Sequence, residues 1–309
     1  MKERSGLKKL TFGVAVMSVS VMLSKICGMF FKIPLTAILG TYGMGVFNTA
    51  YTVYSLLFVL CSAGLPSAIA ISVSSSALAC ENKASPSRIL RISVKFFGTI
   101  GLICAVSTYV LADVLAGILN NPESADCLRA LSLCLFFTTV SGVLRGYFQG
   151  HSDMLPTAVS QVIEALGKLV WGVLFAWYAN KNEFPISTVA AYAVLGVTFS
   201  SILGTVYLIV KYVVYKNKHK TFVKCDEDRN KTNNLSVLKK LLRTTAPITM
   251  SSLVMSVVGI IDLLIVMRLL GGEFDSVNDE YGAYSALATP IFNLPAVMIM
   301  PIAASALPL

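Results

Sequence analysis

"LTFGVAVMSVSVMLSKICGMFFKIPLTAILG" runs from Leu10 to Gly40, an apolar stretch interrupted by only two charges, Lys25 and Lys32. At 1.5 Å per residue the stretch is long enough to cross a hydrocarbon core of about 30 Å as a helix. Lys25 and Lys32 are seven residues apart, so they share one helix face, roughly 10 Å apart along the axis. A charge at mid-membrane costs between about 2.5 and 17 kcal/mol, and such residues face a wet cavity or a partner. Two cations on one face therefore point to a polar path for an anion. The competing explanation is that Lys32 snorkels to the headgroups ahead of Pro34 while Lys25 pairs with an acid on another helix.

The same apolar pattern recurs along the chain. Of 309 residues, 55% are hydrophobic and 13% charged, with a mean hydropathy of +0.73. Soluble domains carry about 25% charged residues, so an all-α, polytopic membrane bundle is expected. Spans are read at Leu10–Leu39, Val46–Leu78, Phe96–Leu119, Leu128–Tyr147, Thr157–Tyr178, Ile186–Tyr212, Leu238–Leu270 and Tyr284–Leu309. Basic residues collect in the amino terminus (Lys2, Arg4, Lys8, Lys9), after the second span (Lys83, Arg88, Arg91, Lys95) and after the sixth (Lys211 to Arg243). The intervening connections are uncharged, mixed or, around Glu273 to Glu280, acidic. The positive-inside rule then puts the amino terminus and the basic loops in the cytoplasm. It also accounts for the net charge of +9 without nucleic acid, since no recognition module accompanies the basic residues. The first apolar run is too long for a signal peptide.

The long basic connection divides the chain into a six-helix lobe (1–215), a cytoplasmic loop (216–236) and the first two helices of a second lobe (237–309). Lys32, Tyr42-Gly43 and Leu65-Pro66 are echoed by Arg268, Tyr281-Gly282 and Leu294-Pro295, a loose parallel repeat of the kind transporters use. The last span stops at "MPIAASALPL" without a basic flank, and the expectation is a truncated second lobe.

The densest polar cluster is "SGVLRGYFQGHSDMLPTAVSQVIEALGKL". It reads as a glycine-bounded turn, Gly146 to Gly150, around Arg145, followed by a helix opened by Pro156. On that helix Gln161, Glu164 and Lys168 form one polar stripe at i, i+3 and i+7. Either the stripe faces a cavity, or Glu164 and Lys168 neutralise each other at i, i+4. On the seventh span Asp262 lies deep enough for a cavity or ion-coupling role, while Arg268 is near the end. Pro34, Pro66, Pro247, Pro290, Pro295 and Pro301 are expected to bend the helices that contain them.

Catalytic signatures are weak. Two histidines, seven scattered cysteines without a C-x-x-C pair, and no Walker A sequence leave no metal, cofactor or nucleotide chemistry to assign. Asp226-Glu227-Asp228 stands in a basic polar loop and reads as a solvated charge cluster. The chain is not expected to be an enzyme.

Arg145–Glu164, together with "KIPLTAILG" (Lys32–Gly40), "SAGLPSAIAISVS" (Ser62–Ser74), "TAPITMSSLVMSVVGIIDLLIV" (Thr245–Val266) and "YSALATPIFNLP" (Tyr284–Pro295), resembles the polysaccharide flippases of the stage V sporulation protein B type. These are relatives of the lipid II flippase in the multidrug/oligosaccharidyl-lipid/polysaccharide exporter superfamily. The resemblance implies fourteen helices in two pseudo-symmetric lobes around an alternately opening cavity, of which this chain supplies about eight. It implies cavity cations at Lys25, Lys32 and Arg268; beside them the residues themselves offer Arg145, Gln161, Glu164, Lys168, Asp262 and Asn293 as further polar or coupling candidates. Where the lipid II flippases carry arginines on the first helix this chain has lysines, point charges without a bidentate fork. The implied task is flipping of a prenyl-diphosphate-linked saccharide, or a peptidoglycan or spore-envelope precursor, across the bacterial plasma membrane. The lipid-linked substrate, the bilayer and cell-envelope synthesis proteins would be its partners. The alternative is a cation-coupled multidrug exporter of the same superfamily, working through Asp262 or Glu164.

Overall fold

A computed structural model describes residues 2–78, 85–218, 234–269, 277–289 and 292, and among these every regular element is helical. The first element, α1 (Lys2–Ser62), is a helical hairpin that reverses at Gly40. Gly40 has φ 66° and ψ −174°, a combination essentially confined to glycine. In a straight helix Phe31 and Phe47 would lie about 24 Å apart, but their ring centroids are 6.2 Å apart. The Lys25–Lys32 face and the segment from Asn48 to Phe58 are therefore brought against each other.

A bend at 63–64 leads into α2 (Leu65–Leu78). Pro66 thus sits at the start of a helix rather than kinking one, whereas Pro34 and Pro247 are inside helices. The remaining prolines of the sequence argument, Pro290, Pro295 and Pro301, lie outside the described residues. The next helix, α3 (Pro86–Val110), is capped by Ser85, whose hydroxyl accepts from the Arg88 N–H, with Pro86 in the first turn. The short α4 (Ala112–Ile118) and a 3₁₀ turn at Pro122–Ser124 lead into α5 (Ala125–Gly150).

The structure corrects the expected turn at Gly146–Gly150. Both glycines are helical, and they are packing glycines. A Cβ on Gly146 would lie 2.7 Å from the Pro66 carbonyl oxygen, and one on Gly150 would lie 2.6 Å from Val73 Cβ. The chain reverses instead at His151–Met154. From there α6 (Leu155–Gly167), a π turn at Lys168–Gly172 and α7 (Val173–Lys181) follow without a break, and α8 (Ile186–Lys218) returns. Beyond the basic loop, α9 (Asn234–Leu269) and α10 (Val277–Ala283), the latter continuing into a π turn at Tyr284–Ala288, pack on the α1 hairpin.

Two apolar cores hold the bundle. One surrounds the Gly40 end and joins Leu35, Met44, Phe47, Leu128, Val194, Leu263 and Tyr281. The other lies toward the basic loops and joins Ile69, Phe97, Leu144, Phe148, Leu208 and Leu241. Hydroxyls and a thiol tie helices within these cores: Thr198 Oγ1 donates to the Ala130 carbonyl at 2.8 Å, Thr205 Oγ1 to Phe137 at 3.0 Å, and Tyr54 and Ser201 both approach Cys134 Sγ. Such contacts average about 0.6 kcal/mol between membrane helices. Elsewhere the outward faces are apolar, as on α3 at Leu102, Ile103, Val106 and Val110, which suits a lipid environment.

Candidate functional site

Between the two arms of α1, α6 and α8 lies a cavity of about 690 Å³. Its walls bring together Lys25 and Lys32 from the first arm, Asn48, Tyr51 and Phe58 from the second, and Gln161, Glu164 and Lys168 from α6 and its π turn. The sequence spacings explain the convergence. The seven-residue step keeps both α1 lysines on one face, and the i, i+3 step keeps Gln161 with Glu164.

Each polar group has its own anchorage. Lys32 is half-buried and its Nζ donates to the Ser285 carbonyl at 2.9 Å, reaching the π turn that follows α10. Asn48 Nδ2 donates to the Ser285 hydroxyl, also at 2.9 Å. Gln161 is held from below, because Ser20 Oγ lies 3.2 Å from its Oε1 and Ser24 Oγ lies 3.4 Å from its carbonyl. Lys25 is exposed, and neither it nor Lys168 has a hydrogen-bond or ion-pair partner among the described residues. Lys25 is therefore available to an incoming anion without first breaking a protein contact, while the Lys168 ammonium lies within electrostatic range of Tyr51 and Glu164.

The cavity's only carboxylate among the lining residues, Glu164, is engaged from behind. Arg145 Nη2 donates to its Oε1 at 2.7 Å and Arg145 Nε donates to Ser160 Oγ at 3.0 Å. The hydrogen bond of Glu164 thus goes to α5, while the i, i+4 neighbour considered from the sequence, Lys168, stays within electrostatic range of the acid. Arg145 itself backs the wall rather than lining it. Opposite Glu164, Gly204 leaves the space: a Cβ there would be 2.6 Å from Glu164 Cγ.

An aromatic ladder lines the second arm. Phe47 and Tyr51 stack at 5.9 Å, Tyr51 and Tyr54 meet at 5.5 Å, and Tyr54 and Phe58 stack at 6.0 Å. Sequence reasoning missed this ladder, Asn48 and Ser285. Asn48 had a signal, as a lone amide in an apolar run, whereas Ser285, which serves Lys32 through its carbonyl and Asn48 through its hydroxyl, had none.

Other candidates lie elsewhere. Arg268 is exposed on α9, and its guanidinium donates to the Ile118 carbonyl at 3.3 Å, so it satisfies the end of α4 rather than the cavity. Asp262 is likewise exposed on α9 and is not among the lining residues. Asn293 lies outside the described residues. No group of three or more His, Cys, Asp or Glu side chains suited to a metal occurs among the described residues. What the arrangement offers is amine charge beside aromatic and aliphatic walls, a surface for an anion that carries an apolar substituent.

Comparison with known proteins places these features in context. The family model described as polysaccharide biosynthesis protein matches residues 10–309. The lipid II flippase MurJ of Bacillus subtilis is 29% identical over 221 residues, covering 69% of this chain and 40% of the relative. Stage V sporulation protein B of the same organism is 23% identical over 313 residues, covering 98% of this chain and 58% of the relative. Among solved structures, the MATE multidrug transporter DinF-BH in complex with R6G is similar with a TM-score of 0.67 at 15% identity, over 96% of this chain and 63% of that one. The chain thus spans 40% to 58% of the length of these two relatives.

Proposed function

The chain belongs to the family of polysaccharide biosynthesis proteins, and from that premise we propose that it acts as a membrane transporter for lipid-linked saccharides. It moves a prenyl-diphosphate oligosaccharide, or a peptidoglycan or spore-envelope precursor, from the inner to the outer leaflet by alternating access. The observation that carries this is the charge of the cavity: Lys25, Lys32 and Lys168 line it, and its one carboxylate is paired with Arg145.

The physics of the task fits such a site. Each saccharide hydroxyl costs roughly 4–8 kcal/mol to move unpaired from water to hydrocarbon, and a diphosphate costs more. A wet, cationic groove removes that penalty while the prenyl tail remains in lipid. From the aromatic ladder, Phe47, Tyr51 and Phe58 line the cavity and offer apolar surface on which sugar rings or prenyl units can rest. With the amino terminus in the cytoplasm, residues 1–215 form one lobe and 237–309 open a second that closes the cavity from the other side. No chemical step is assigned to the protein.

A multidrug exporter is the second possibility, favoured by the similarity in fold to DinF-BH. Cation coupling would then fall to Glu164 or Asp262. Glu164 is already paired at 2.7 Å and Asp262 is exposed on α9, so the cavity's charge speaks for an anionic cargo.

Reconstituted protein separates the two. Flipping of a fluorescent prenyl-diphosphate sugar is expected in proteoliposomes and is expected to fall at least about tenfold in Lys25→Ala/Lys32→Ala, the equivalent of 1.4 kcal/mol. Export of an organic cation that survives these substitutions, without any flipping of the diphosphate, would establish the exporter instead.

A further inference from the structure

We propose that Arg145 is a positioning residue that keeps the cavity cationic by pairing with Glu164 in the place of the lysines. The inference rests on the reading that the cavity receives an anionic headgroup, and it concerns how that site retains its charge.

Glu164 and Lys168 are four residues apart with the acid on the amino-terminal side, the orientation in which a helical ion pair forms most readily. Left alone, Glu164 would sit on the cavity wall as a competitor for the very amine that an anionic cargo needs. Three features prevent this. Arg145 reaches across from α5 and takes Glu164 Oε1 at 2.7 Å, with both side chains largely buried at 16% and 12% exposure. Its Nε is fixed by Ser160 Oγ at 3.0 Å, so the guanidinium is oriented before it meets the acid. Gly204 on α8 leaves a hollow that receives the carboxylate, 2.8 Å from Glu164 Oε1 to the site of a would-be Cβ.

Lys168 stands in helical backbone one turn beyond Glu164, on the same cavity wall and within electrostatic range of the acid, yet the hydrogen bond of Glu164 goes to Arg145. The outcome is a cavity lined by Lys25, Lys32 and Lys168 in which the charge of the acid is offset by Arg145.

The test uses purified protein in nanodiscs and three probes: farnesyl diphosphate, inorganic pyrophosphate and farnesol. Arg145→Met is expected to weaken both diphosphates by about tenfold, since a freed carboxylate would cancel one amine at short range. Farnesol affinity should stay unchanged, which a general loss of structure would not allow. Adding Glu164→Gln to Arg145→Met should restore diphosphate affinity to within about twofold of the parent. The ratio of the farnesyl diphosphate and pyrophosphate affinities tells a lipid headgroup from a free diphosphate. If Arg145→Met does not fold, Glu164→Gln alone serves: binding equal to the parent, or tighter by up to about threefold, is expected because Arg145 then adds its own charge. Unchanged diphosphate binding in Arg145→Met, equal losses for farnesol, failure of the double variant to recover, or weaker binding in Glu164→Gln each overturn the role of Arg145. Diphosphate binding that ignores Lys25→Ala/Lys32→Ala overturns the anion-cargo reading instead, so the two failures are distinguishable.

Discussion

Helices α5 and α9 are both long and apolar enough to cross a bilayer, yet 72% of the most apolar stretch around α5 is buried in the protein against 11% of that in α9. Their hydrophobicity does not tell them apart, because lipid tails are as apolar as leucine. What each helix meets does, for α9 also carries small and hydroxyl-bearing residues, among them Thr244, Thr249, Ser251, Ser252, Ser256 and Gly259. Along α5, Cys134, Thr138, Thr139, Ser141, Gly142 and Gly146 are buried and meet α1, α2, α3 and α8. Along α9, Met250, Val254, Met255, Val258, Ile261 and Ile265 are exposed. Small residues let helices approach closely in a membrane, but they fix a position only where a partner helix meets them, as along α5.

The contrast can be broken at several points. The heaviest blow is Gly146→Leu on α5, whose new side chain meets the backbone carbonyl of Pro66 rather than a movable side chain. A loss of about 3 kcal/mol is expected, read as aggregated material in fluorescence-detected gel filtration. Arg145→Met follows. Severing a buried ion pair costs roughly 3–5 kcal/mol, reduced here to about 2 kcal/mol because the pair borders a wet cavity. Thermal denaturation should register it, with recovery in the Arg145→Met/Glu164→Gln double variant. Thr139→Val removes a hydroxyl that lies 3.3 Å from Ser62 Oγ, and a shift near 0.6 kcal/mol is anticipated from membrane-helix cycles. Smallest of all is Met255→Leu on α9, expected within about 0.5 kcal/mol of the parent. A cost above 1.5 kcal/mol there, by the same thermal assay, would mean that α9 is covered by protein and not by lipid.

Much of this architecture was legible beforehand. Apolar run length and the basic loops gave the membrane bundle, and the seven-residue step gave the shared face of Lys25 and Lys32. Properties that depend on a distant partner were harder to read. Gly146 and Gly150 looked like turn residues because sequence cannot say that α2 lies against them. Glu164 offered Lys168 as its local partner, and the actual partner Arg145 lies 19 residues away on another helix. Arg268 carried the right charge in the repeat, but the carbonyl of Ile118, 150 residues earlier, claims it. Local period fixes which face a residue occupies, and tertiary approach decides what that face meets.

The reversal at Gly40 has a mechanical corollary. One residue joins the lysine-bearing arm to the aromatic arm, and Phe31 locks onto Phe47 just beyond it. The two arms are therefore clasped at two points, the reversal and the ring pair, and the first of these hangs on a position where any residue bearing a Cβ would be strained.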